Sequence, residues 1–202
     1  MDGRTLGAGG WRKPSALVLI AMNLIPLVGV LAFGWSVGAL MLLYWAETVV
    51  IGAVNLPKLL TAGMGQTEEG LGRGCGTVVL SAFFTAHYGL FNFAHFSVLE
   101  EVFTIPAFDT GLIIALAGLA ASHLFSLVVN WFGRGEYKRA TPNVQMVRPY
   151  GRVFVLHMVI LVGGFLSARF SAPIIPLILL VALKTVVDLF SHTRSHEDAF
   201  DT

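Results

Sequence analysis

Residues 36–57 read SVGALMLLYWAETVVIGAVNLP. A run of that length with one ionisable side chain crosses the roughly 30 Å hydrocarbon core of a bilayer as a single helix. The exception is Glu47, near its middle. A charged group near the bilayer centre costs about 2.5–3.5 kcal/mol even on lenient insertion scales. Such a residue persists where it faces a bundle interior and pairs, binds something or carries protons.

Five further apolar runs flank this one, at about 15–33, 75–98, 109–132, 151–170 and 173–191. Only Gly34-Trp35 separates the first two, so they are expected to pair as an antiparallel hairpin. The chain has 202 residues, 55% hydrophobic and 12% charged, with a mean hydropathy of +0.76. That composition excludes an ordinary soluble domain. The expected fold is all-α: one polytopic transmembrane helix bundle of six spans over residues 1–202. The basic residues before the first run read as the flank of a retained helix rather than of a cleaved signal. The single cysteine, Cys75, rules out an internal disulfide framework.

Charge orients the bundle. Of 13 Lys and Arg, Lys184 lies within a span and Arg169 falls on one side; all the others fall on the opposite side. These include Arg4, Arg12 and Lys13, then Lys58 and Arg73, and the set Arg134, Lys138, Arg139, Arg148 and Arg152. The positive-inside rule then puts both the N and C termini in the cytoplasm. Residues 133–150 read as a basic cytoplasmic loop lying near anionic lipid headgroups, residues 59–74 as a glycine-rich loop, and residues 99–108 as a short outer interfacial segment. No loop is large enough for a separate catalytic domain.

Within the spans lie Glu47, His87, His123, His157, Lys184 and Asp188. At 1.5 Å per residue, Glu47, His87, His123 and Lys184 fall about 10–16 Å from their cytoplasmic helix ends. His157 and Asp188 are expected closer to the cytoplasm, and His95 nearer the outer rim. Glu47, Ile51, Asn55 and Lys58 follow helical spacing; so do His123 with Asn130, and Lys184 with Asp188 and His192. Neither carboxylate has an obvious arginine partner, and Lys184 or a histidine is expected to serve Glu47. These residue types point to a divalent metal, zinc first, with iron or copper as other occupants. The ligands would be His87, His123, His157 and Asp188, with Glu47 as a further ligand or as the base for a metal-bound water. Asn55, Asn130 and Lys184 would support the site. A catalytic metal there would hydrolyse a lipid or amphipathic substrate.

Other readings use the same residues. Buried Glu, His and Asp side chains make a proton path, hence a proton-coupled transporter or channel. His87 and His123 could clamp haem b. A structural subunit needs only that each polar group be satisfied: His95 and His157 by packing, Lys184 and Asp188 as an intrahelical pair. His192 and His196 read as solvated, and Cys75 as a small residue at a glycine-lined helix start. Expected partners are membrane lipids and a second copy of the chain, with no nucleic acid.

Three resemblances bear on these readings. Phe91-Asn92-Phe93-Ala94-His95 resembles the FxxxH piece of the intramembrane metal-dependent CAAX-type proteases. The chain departs from their EExxxR arrangement, since Ile105 stands at the arginine position after Glu100-Glu101 and the acidic pair follows the histidine. Histidines on several helices with a buried carboxylate resemble the plan of ceramidase-like zinc amidases, whose core has seven helices. The six-span shape with Tyr44-Trp45-Ala46-Glu47 resembles uncharacterised prokaryotic membrane proteins, which implies a cell-membrane location and no particular activity.

Overall fold

A computed structural model describes residues 24, 26–64, 71–107, 110–172 and 174–197, with 71–73 and 188–197 as backbone alone. Every regular element among them is helical. Helical turns at 26–33 (α1) precede α2 (Val37–Thr61) and α3 (Leu71–Val102). Then come α4 (Thr110–Ser126), α5 (Pro142–Val147), α6 (Tyr150–Met158), α7 (Gly164–Phe170) and α8 (Ile175–Glu197). Two π-helical stretches extend these, Leu127–Gly133 after α4 and Val159–Gly163 between α6 and α7.

Among the described residues, four helical stretches are long and apolar enough to cross a membrane: Val37–Thr61, Gly74–Val102, Thr110–Gly133 and Pro142–Phe170. The apolar part of α8, Ile175–Val187, is shorter. The early part of the span expected at 15–33 falls outside the described residues. The fourth stretch corrects an expectation. Helix resumes at Pro142, not at 151, so much of the loop expected at 133–150 is helical. Thr141 in extended backbone followed by Pro142 at the first helical position is a sound helix start, because proline's missing N–H costs nothing there. Likewise α3 runs on to Val102 through part of the expected outer segment.

Ser36 caps α2, its hydroxyl accepting from the Ala39 N–H at 3.3 Å. This helix is the hub, packing on α3, α4, α5, α6 and α8. Small residues set the closest approaches: a Cβ on Gly52 would lie 2.4 Å from the Tyr88 ring, and one on Gly163 would lie 2.9 Å from the Pro176 backbone. The largest buried cluster gathers Met41, Leu99, Leu156, Val159 and Leu177 from four helical segments. Phe33, Phe93, Phe125 and Phe165 each leave about 70% of their surface uncovered. Buried Thr48, Asn55, Asn92, His95 and Gln145 stand inside instead. Apolar rings outside and polar groups inside suit a chain whose solvent is lipid.

Candidate functional site

One face of α2 organises the interior. Leu40, Leu43, Tyr44 and Glu47 line a groove of about 220 Å³ with Leu119 of α4 and Leu180, Val181 and Lys184 of α8. The same face continues as Ile51, Val54, Asn55 and Lys58, which line a cleft of about 160 Å³ with His123, Gln145, Arg148 and Arg152. Steps of three and four residues keep these positions in register along the helix. The groove is largely apolar; the cleft is polar and basic. Glu47 lies where the first gives way to the second.

The Glu47 carboxylate is 16% exposed and has partners from two other helices. Its Oε1 accepts a hydrogen bond from Arg152 Nη1 of α6, and His123 Nε2 of α4 lies 3.7 Å from the same oxygen. Lys184, which shares the groove, holds its ammonium 5.8 Å from the Tyr44 ring centroid. The arginine partner that the sequence did not offer is therefore Arg152. A span starting at 151 puts this residue at the cytoplasmic flank; in the stretch Pro142–Phe170 it lies inside.

The other histidines have their own partners. His87 Nδ1 is 2.9 Å from the Tyr150 hydroxyl, and the ring stacks on Phe83. His157 Nδ1 is 3.0 Å from His95 Nε2, and His95 is only 5% exposed. His95 is thus a member of an interior pair rather than a rim residue. His157 lies near the end of α6, which begins at Tyr150. The expected ligands His87, His123 and His157 therefore serve three separate contacts. Among the described residues, no group of three His, Cys, Asp or Glu side chains is placed to hold a metal ion. The side chain of Asp188 falls outside that description. Asn130 donates to Ser126 Oγ at 3.2 Å within its own helical stretch and does not line the cleft.

Uncharged residues complete the interior. The Tyr88 hydroxyl donates to the Thr48 carbonyl at 2.8 Å, Asn92 Nδ2 to the Tyr88 carbonyl at 2.9 Å, and Trp45 Nε1 to the Asn92 carbonyl at 2.9 Å. Thr48 Oγ1 lies 2.7 Å from both Asn92 Oδ1 and the Trp45 carbonyl, with one proton to give. Lower in the bundle, Asn55 Nδ2 donates to the Gln145 carbonyl at 3.1 Å and Gln145 Nε2 donates back to Asn55 Oδ1. Arg148 Nη1 donates to Gln145 Oε1 at 3.3 Å. Lys58 sits 5.6 Å from the Trp131 ring centroid, and Trp131 Nε1 donates to Thr61 Oγ1 at 2.8 Å. Helical spacing from Glu47 points to Asn55 but not to Gln145, Arg148 and Tyr150, whose polar surroundings read as a loop.

No curated protein and no solved structure matches the chain. A family model does, over residues 7–201, and the chain belongs to that family of unknown function, DUF6498.

Proposed function

We propose that this protein is a six-span membrane protein with both termini cytoplasmic, and that it is a proton-linked carrier of a small or amphipathic anion. The observation that carries the proposal is the position of Glu47, held by Arg152 and His123 where the groove and the cleft meet. A carboxylate or guanidinium stripped of its partner inside the membrane costs several kcal/mol. Glu47 therefore leaves Arg152 only when something replaces each of them. A proton neutralises Glu47, and an incoming anion takes its place on Arg152. One negative charge then moves with one proton, and His123 beside the carboxylate gives that proton a second acceptor. By linkage, protonation strengthens anion binding by the factor by which the anion strengthens protonation.

Zinc-dependent hydrolysis of an amphipathic substrate, suggested by the residue types, would need Glu47 available as a base and several histidines on one ion. The observed contacts give Glu47 to Arg152 and the histidines to different partners, so the carrier reading uses more of them. Its test is flux. The full chain is reconstituted in liposomes enclosing a pH-sensitive dye, and inward gradients of chloride, sulfate, phosphate or a short alkyl carboxylate are imposed. At least one anion is expected to acidify the interior, and Glu47→Gln to abolish that acidification. Anion entry without protons, or unchanged acidification in Glu47→Gln, would overturn the proposal.

A further inference from the structure

The cleft beyond Glu47 carries more positive charge than its ion pair uses. Lys58 of α2, Arg148 from the turn after α5 and Arg152 of α6 all line it. Of these three, Arg152 has an ion pair among the described residues, with Glu47. Glu136 acts electrostatically on Lys58 but is exposed and does not line the cleft. Nor do the other basic residues of this end, Arg134, Lys138 and Arg139, which are exposed. A need for basic residues at the cytoplasmic end explains those three; it does not explain why Lys58 of α2 meets Arg148 and Arg152, one turn apart on the Pro142–Phe170 stretch, at one cavity. The buried amides of Asn55 and Gln145 tie α2 to α5, and Gln145 Oε1 holds the Arg148 guanidinium at the cavity.

We infer that the cleft binds a phosphate monoester group. The inference rests on the carrier reading and names the cargo. Two guanidinium forks and one ammonium match a tetrahedral dianion, which accepts from several donors at once. A single carboxylate would leave most of that charge uncompensated. At about 160 Å³ the cleft is smaller than the roughly 300–1,000 Å³ pockets that enclose drug-sized ligands, so it accommodates a headgroup rather than a whole large molecule. The group can come from a lipid, whose chain would follow the α2 face into the groove beside Leu40 and Leu43, or from a soluble phosphate ester.

Two arms separate these sources. In the first, the full chain in uncharged detergent is titrated with radiolabelled glycerol phosphate, against acetate and chloride as competitors. In the second, the full chain is placed in phosphatidylcholine nanodiscs with or without phosphatidic acid, and retained lipid is identified by native mass spectrometry. Saturable, phosphate-specific binding is expected in at least one arm; the first alone names a soluble ester and the second alone a lipid headgroup. The double variant Lys58→Gln/Arg148→Gln should weaken it by at least about tenfold. Arg134→Gln/Arg139→Gln removes the same charge outside the cleft and should bind like the wild type, with helicity checked for both. No phosphate-specific binding in either arm, equal competition by acetate, or equal losses in the two double variants would overturn the inference. Proton coupling is read separately. Phosphate binding without proton uptake sinks the carrier reading alone, whereas proton-coupled flux of another anion without phosphate binding sinks this inference alone.

Discussion

A carboxylate in the middle of an apolar helix survives by taking a proton, a metal or a cation. Glu47 takes a cation, Arg152, with His123 beside it. The need for a partner was legible in the sequence, because Glu47 stands alone in its apolar run; the identity of the partner was not. Which residue faces Glu47 depends on where another helix begins, and Arg152 sits one residue inside a run that looked to start at 151. The neutral network was legible even less, since Thr48, Tyr88 and Asn92 carry no charge and are ordinary residues in membrane helices. Their hydrogen bonds still bear weight. Asn92→Ala should lower stability by about 1 kcal/mol, as intramembrane hydrogen bonds of this kind do, measured by thermal or denaturant unfolding in detergent. Gly52→Ala should cost more, about 1–3 kcal/mol, because its new methyl group meets the Tyr88 ring at 2.4 Å. A fully stable Gly52→Ala protein would mean that α2 and α3 are not packed this closely.

Among the elements, α5 shows how a short helix can place a site. Its start was written in Thr141-Pro142, but the surrounding Arg, Lys and Asn residues made the segment look like a loop. Burial of Gln145 against Asn55 outweighs that polar composition, since the Asn55 amide bonds both the main-chain carbonyl and the side-chain amide of Gln145. Gln145→Ala keeps the main-chain acceptor of Asn55 Nδ2 but leaves the buried Asn55 Oδ1 without its donor and releases Arg148. Limited proteolysis should then cut more readily between residues 134 and 148; unchanged protection would show that the amide pair does not anchor α5. The π-helical stretches are a second feature that hydrophobic pattern could not reveal. One begins four residues after His123 and the other two residues after His157, and such widened turns redirect the side chains around them. Gly163, in the second, lets α8 approach: Gly163→Leu should lower stability by about 1–3 kcal/mol, because a Cβ there lies 2.9 Å from the Pro176 backbone.

At the scale of the whole molecule, hydropathy pointed to an all-α membrane bundle, and the four long apolar helices among the described residues, with outward phenylalanines, are consistent with that much. Pattern marked the polar stripe of Glu47, Asn55 and Lys58 on α2 but not which residues of the other helices meet it, because that depends on how the helices pack. The proposed orientation rests on the charge bias and can be tested at Cys75, which is exposed near the start of α3. With both termini cytoplasmic, a membrane-impermeant maleimide should label Cys75 in inside-out vesicles and spare it in intact cells or spheroplasts; the reverse would invert the bundle. The carrier and phosphate readings both depend on one contact that joins α2 to α6. A double-mutant cycle on unfolding in detergent, with Glu47→Gln, Arg152→Gln and the pair together, measures it directly. Each single change leaves a partly buried charge without its partner, whereas the double change removes both, so the coupling energy should be about 1–3 kcal/mol. Additive effects, with coupling below about 0.5 kcal/mol, would mean that Glu47 and Arg152 do not hold each other.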